Sequence, residues 1–203
     1  IGPRHANCDS GMETWAKSIR RKGPVLIRSL NSAQRAMQLE QSKIDALAKK
    51  AKVAVLGTGV NPGFAMDALP ITLTGICERV DSIRVDRIQD ARTRRLPFQQ
   101  KIGSGLSKEQ FAAKVKDGSV RHVGLAESVQ MIADSMGWKL DKVTDEIQPK
   151  IADQAVESEL IAVDPGYVCG IIQDGIGYAK GKPVITLHME AYLGAPESFD
   201  AVT

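Results

Sequence analysis

Apolar positions near the end of the chain recur at every second residue. Ile185, Leu187, Met189, Ala191 and Leu193 fall on one side of an extended segment, and Thr186, His188, Glu190 and Tyr192 fall on the other. A period of two predicts a half-buried strand over residues 184–193. Strand-like stretches also cover 139–147, 158–163 and 167–173, and Lys180-Gly-Lys-Pro183 predicts a hairpin connection before the last strand. Upstream the period lengthens. Residues 125–136 carry a helical pattern that stops at Gly137, and Ser107-Lys-Glu-Gln110 is a capping-box start for a short helix to Lys116.

The first part of the chain has a different character. Residues 1–30 show little periodicity apart from a possible short strand at Val25-Leu26-Ile27. Residues 32–50 have a helical pattern, and Val53-Ala-Val-Leu56 is uniformly apolar, as in a parallel sheet covered on both faces. Gly57-Thr-Gly-Val-Asn-Pro-Gly63 reads as a loop. Residues 64–78 read as an apolar helix kinked at Pro70, 81–90 as a strand, and 96–105 as a loop rich in Gly and Gln. The expected organisation is an unassigned leader at 1–30, a remnant of a dinucleotide-binding domain at 31–80, and a substrate and oligomerisation domain at 81–203. The fold class is α/β (α+β): the tail of a Rossmann-type domain joined to a domain with a mostly antiparallel sheet.

Composition narrows the function classes. Aromatic residues make up 4% of the chain, too few for the stacking platforms that bind single-stranded nucleic acid. A net charge of +3 does not call for a polyanionic partner. Cys8, Cys77 and Cys169 are widely separated and lack metal-ligand spacing, so no metal site is expected and a reducing cytoplasm fits best. No apolar run reaches membrane-spanning length, and no signal-peptide pattern opens the chain. The chain starts at Ile1 and stops soon after a patterned strand, so it is expected to be a fragment.

Three stretches could carry chemistry. Gly57-x-Gly59-x-x-x-Gly63 is close to a nucleotide-binding fingerprint, but the spacing is off by one and Pro62 removes an N–H donor. Spacing alone favours a tight turn. The loop from Gln89 to Lys101 gathers Arg92, Arg94, Arg95 and Lys101. It is either a site for an anionic group or a solvated loop with Asp90 paired to a neighbouring Arg. His188 and Glu190 point to one side of the last strand, which could line a polar pocket with His188 moving a proton, or could simply face solvent. His122 reads as a capping or surface residue.

Four ordered segments resemble one family. They are Gly57-Thr-Gly-Val-Asn-Pro-Gly-Phe-Ala-Met-Asp67, the run from Gln89 to Gly105, His122-Val-Gly-Leu-Ala-Glu-Ser128, and Pro183-Val-Ile-Thr-Leu-His-Met-Glu-Ala-Tyr-Leu-Gly194. Together they resemble the 2,4-diaminopentanoate dehydrogenases and native amine dehydrogenases, within the dihydrodipicolinate reductase-like group, over about residues 33–196. The resemblance implies oxidative deamination of an amine to a ketone with NADP or NAD, a small-molecule substrate and a homo-oligomer. It places Gly59, Asn61 and Pro62 on the cofactor side. Phe64, Leu69, Asp90 and Arg92 fall to the substrate, and His188 is the catalytic candidate.

The chain departs from that family in three places. The family's first strand, with its glycine fingerprint, has no counterpart here. Ser29-Leu-Asn-Ser-Ala33 stands where relatives carry a carboxylate, and residues 1–30 do not match. Two other readings stay open. One is a reductase of a carboxylated imine, which the Arg cluster would suit although that family's paired histidines are missing. The other is a non-catalytic oligomerising or ligand-binding module.

Overall fold

The computed structural model describes residues 25–28, 46–195 and 199–202. The leader expected at 1–30, the helix expected at 32–50, His5 and Cys8 fall wholly or largely outside them. The chain divides into two compact units, residues 1–60 and 61–203. The boundary stands twenty residues before the one expected at residue 80.

In the first unit, β1 (Val25–Arg28) pairs in parallel with β2 (Val55–Thr58). Residues 46–51 are helical. β2 starts two residues later than the apolar run predicts, because its ladder carries Gly57 and Thr58 opposite Ile27 and Arg28.

The second unit is built on a five-stranded sheet. Its strands are β3 (Ile83–Asp90), β4 (Lys142–Ile151), β7 (Val168–Ala179), β8 (Lys182–Tyr192) and β9 (Phe199–Val202), in the order β4-β7-β8-β3-β9. Only β3 and β8 run parallel; the other pairs are antiparallel. A small separate hairpin joins β5 (Val156–Glu157) and β6 (Ala162–Val163). Lys180 and Gly181 make the β7–β8 turn, both at positive φ, as a two-residue hairpin requires.

Among the described residues, four helices complete the unit: α1 (Ala68–Thr74), α2 (Leu96–Lys101), α3 (Lys108–Lys116) and α4 (Leu125–Met136). α3 starts with the predicted capping box, and α4 ends at Gly137 in the left-handed conformation. α1 is shorter than predicted. Pro70 sits in its first turn, where a missing N–H leaves no helical bond unmade. α2 replaces the loop expected at 96–105. Pro97 lies at its start, and Gln99 is buried, with its Nε2 donating to Arg94 O at 2.7 Å.

α4 lies across one face of the sheet and buries Leu125, Val129, Ile132 and Ala133. It comes close because β7 presents glycines there. A Cβ on Gly175 would press on Leu125, and one on Gly177 on Val129 and Leu140. The β8 residues Ile185, Leu187, Met189 and Ala191 are all buried beneath this layer. The strand's alternation therefore separates an inner face, under the helices, from an outer face.

Leu187 is fully buried, so Leu187→Ala should cost about 2–5 kcal/mol of stability, as for other buried large-to-small changes. Urea unfolding of both proteins measures it. A loss below about 1 kcal/mol, typical of a half-exposed position, would place Leu187 outside the core.

Candidate active site

The inner face carries a polar row that its burial makes unexpected. Arg87 on β3 and Gln173 on β7 both register with Met189 on β8, so the three stand side by side. Arg87 is 7% exposed and Gln173 0%. A buried amide must have its groups satisfied, and those of Gln173 are. Its Oε1 accepts from His122 N at 2.7 Å, and its Nε2 donates to His122 O at 2.9 Å and to Asp145 Oδ1 at 2.6 Å. Asp145 also takes a 3.0 Å ion pair from Arg121. Burial raises the Asp145 pKa further than Gln173 and Arg121 lower it. The Gln89 Oε1, in the amide orientation that satisfies both side chains, accepts from Arg87 at 2.6 and 3.0 Å.

The loop before α1 covers this row. Asn61 Nδ2 lies 2.8 Å from Met66 Sδ and 3.9 Å from Met189 Sδ. Asp67, fully buried, accepts from Gly63 N at 2.7 Å, Ala68 N at 2.6 Å and Ser128 Oγ at 2.8 Å, which ties the loop to α4. Gly124 packs against the Pro62 ring so closely that a Cβ there would overlap it.

His122 belongs to this inner site and is neither a helix cap nor a surface residue. Its main chain is clamped by Gln173, and its Nδ1 is buried. Burial, reinforced by the positive charges of Lys101, Arg87 and Arg121, pushes its pKa down to about 4, so the ring is neutral at physiological pH.

The outer face holds a separate network. His188 Nδ1 stands 2.7 Å from Asp174 and Nε2 stands 3.2 Å from Glu190. Lys150 pairs with Glu190 at 3.3 Å and lies 4.6 Å over the Tyr192 ring. Burial lowers the His188 pKa, but the two carboxylates outweigh it and the net shift is upward. Asp90 and Arg92 form an ion pair at 2.6 Å, with the Arg92 side chain about half exposed. This is the paired-loop alternative for the Arg cluster.

The structure therefore does not gather the sequence-derived candidates into one place. Asn61 and Pro62 meet the inner face. Phe64 is exposed on the same loop, and Leu69 is half-buried in α1. His188, Asp90 and Arg92 stand on the far side of the sheet or its rim. Gly59 belongs to the first unit. Arg87, His122 and Gln173, which sequence reasoning did not select, form the best-built polar cluster.

The loop before α1 does not suit a dinucleotide's pyrophosphate. The N-terminus of α1 is occupied by the Asp67 carboxylate, Gly63 N–H is already donated to it, and Pro62 has no N–H. Gly57 and Thr58 end β2, and Asn61–Gly63 begin the turn that leads into α1. Among the described residues, no helix is long and apolar enough to cross a membrane.

The two histidines should pull stability in opposite directions with pH. His188 has a raised pKa, so its contribution is complete below the unfolded value and is lost as pH rises through the folded one. His122 is held neutral, so acidification from 6.5 towards about 4 should destabilise the fold, by at most on the order of 3 kcal/mol. In thermal melts across neutrality, His122→Phe should be spared the parent's loss as pH falls from 6.5 towards about 4, and His188→Gln should be spared the parent's loss as pH rises above the ordinary imidazole value. Parallel curves for all three proteins would contradict both assignments.

Comparison with known proteins agrees with this architecture. Residues 64–196 match the family model described as the 2,4-diaminopentanoate dehydrogenase C-terminal domain. Over 142 residues the chain is 39% identical to the 2,4-diaminopentanoate dehydrogenase of Acetoanaerobium sticklandii. That match covers 69% of this chain and 40% of that protein. Among solved structures, the amine dehydrogenase from Mycobacterium smegmatis superposes with a TM-score of 0.71 at 17% identity, over 92% of this chain and 64% of that one. At that identity the likeness is one of fold alone. The chain spans about 40% of the length of the curated relative it matches.

Proposed function

The chain belongs to the 2,4-diaminopentanoate dehydrogenase C-terminal domain family, and from that premise we propose that it forms the substrate-side part of an oxidoreductase acting on an amine. The reaction is the reversible oxidative deamination of an amine to a ketone, with NADP or NAD as the hydride acceptor. The loop before α1 does not supply the pyrophosphate cradle, which supports a reading in which this part contributes substrate contacts.

The observation that carries the reading is the inner-face row. A guanidinium, a neutral imidazole and a carboxamide gather around Arg87, His122 and Asn61 on one side of a rigid sheet. Low-dielectric surroundings make each polar contact there stronger than in water. Arg87 suits a carboxylate, the group carried by the 2,4-diaminopentanoate in the relative's name. Phe64 and Leu69 are proposed to wall the substrate side. His188, Asp90 and Arg92 are proposed to support the sheet from its outer face. The homo-oligomer and a cytoplasmic location remain part of this proposal.

The test uses residues 33–203 joined to the cofactor-binding domain and C-terminus of a relative. Reduction of NADP or NAD by 2,4-diaminopentanoate should be measurable. Arg87→Met should lower kcat/KM about tenfold or more, the effect of losing one charge-assisted hydrogen bond. His188→Gln should leave kinetics per folded molecule unchanged. The reverse pattern would move the site to the outer face, and no turnover from a folded, cofactor-binding hybrid would refute the amine reading.

A further inference from the structure

His122 is clasped by its main chain, which leaves its ring for other contacts. The Gln173 amide makes the clasp, with Oε1 accepting from His122 N at 2.7 Å and Nε2 donating to His122 O at 2.9 Å. A primary amide carries a second N–H. In Gln173 that proton goes to Asp145 Oδ1 at 2.6 Å, the shortest of the three bonds. Asp145 stands on β4 opposite Gly175, two residues along β7 from Gln173. A bare glycine at that register position lets the carboxylate lean along the strand to its diagonal neighbour.

Arg121 reaches the same carboxylate from the other side. It precedes His122 in the chain, and its Nη2 pairs with Asp145 Oδ2 at 3.0 Å. The bonds therefore form a circuit from Arg121 through Asp145 and Gln173 to His122, the next residue along. The two links at Asp145 are unequal. Gln173 is wholly buried, whereas the Arg121 side chain is 36% exposed. An ion pair that solvent reaches contributes little. Loss of the acceptor on the buried side would strand an N–H without a partner, and the amide could recover one only by turning away from His122.

We propose that Asp145 is a positioning residue that fixes His122 through the Gln173 amide. This rests on the amine reading above, in which the His122 ring belongs to the substrate side. Asp145 acts from behind: it holds the main chain of His122 and leaves the ring to the ligand. Its acceptor oxygen carries the role, and Arg121 balances its charge.

Amide hydrogen exchange in the isotope-labelled 203-residue chain tests this. In the parent, both Gln173 side-chain protons should be protected, one by His122 O and one by Asp145. Asp145→Leu should speed exchange at the His122 amide about tenfold or more, the loss of one buried hydrogen bond, and leave the Leu187 amide of the central strand within about threefold of the parent. Asp145→Asn keeps an acceptor oxygen and should return His122 to within about threefold of the parent. Unprotected Gln173 side-chain protons in the parent would overturn the proposal without any variant. So would equal acceleration at His122 and Leu187, which is a general loss of stability, or an Asn variant as loose as the Leu variant, which would give the role to the ion pair. In the hybrid enzyme described above, Asp145→Leu should lower kcat about tenfold with KM within about twofold of the parent, as for a group that orients a neighbour and does not touch substrate. A raised KM at unchanged kcat would make Asp145 a substrate contact and overturn the proposal. A folded hybrid without turnover would refute the amine reading, and the exchange data would still decide the role of Asp145.

Discussion

The Gln173 amide is the constraint on which the second unit depends. It sits on β7, in the interior of the sheet, where an apolar side chain would ordinarily pack. Its three hydrogen bonds reach the main chain of His122 and the carboxylate of Asp145. Those bonds hold the segment that leads into α4, and α4 in turn receives the Asp67–Ser128 link from the preceding loop. A slip of one residue in the β7 register would exchange Gln173 for Asp174. That would bury a carboxylate and open the amide to solvent. The register and the inner site are therefore determined together.

The sheet divides the chemistry between its faces. Outside, His188 lies between Asp174 and Glu190, and the carboxylates favour its charged form. Inside, His122 is surrounded by burial and cations and stays neutral. One residue type thus takes two protonation habits a short distance apart, set by what each ring faces. The neutral ring is suited to hydrogen-bond a ligand, whereas the His188 ring is committed to two partners already.

What the sequence revealed follows from how local each signal was. The β8 alternation, the Ser107–Gln110 capping box, the Gly137 stop and the Lys180-Gly181 turn each depend on neighbours within a few residues, and each forms as read. The helix at Leu96–Lys101 was hidden because Pro97 and the glutamines look like loop residues, although proline is well placed in a first turn. The site was less legible still. Gln173 contacts a segment 51 residues away, and nothing adjacent marks it as buried. His122 looked like a surface residue because the cations around it come from β3, α2 and the residue beside it. His188 drew attention through a clear alternation, which locates a face but does not say what covers it.

The account's central claim is that the Gln173 amide positions the inner face, and Gln173→Glu addresses it with almost no change of shape. The new oxygen would face the Asp145 carboxylate and the His122 carbonyl, two acceptors with no donor between them. Urea unfolding near neutral pH measures the result. The account predicts a loss of roughly 2–5 kcal/mol, in the range for a broken buried polar network, together with faster hydrogen exchange at the His122 amide. Unchanged stability with a protected His122 amide would show that packing alone holds this face and that the amide is incidental.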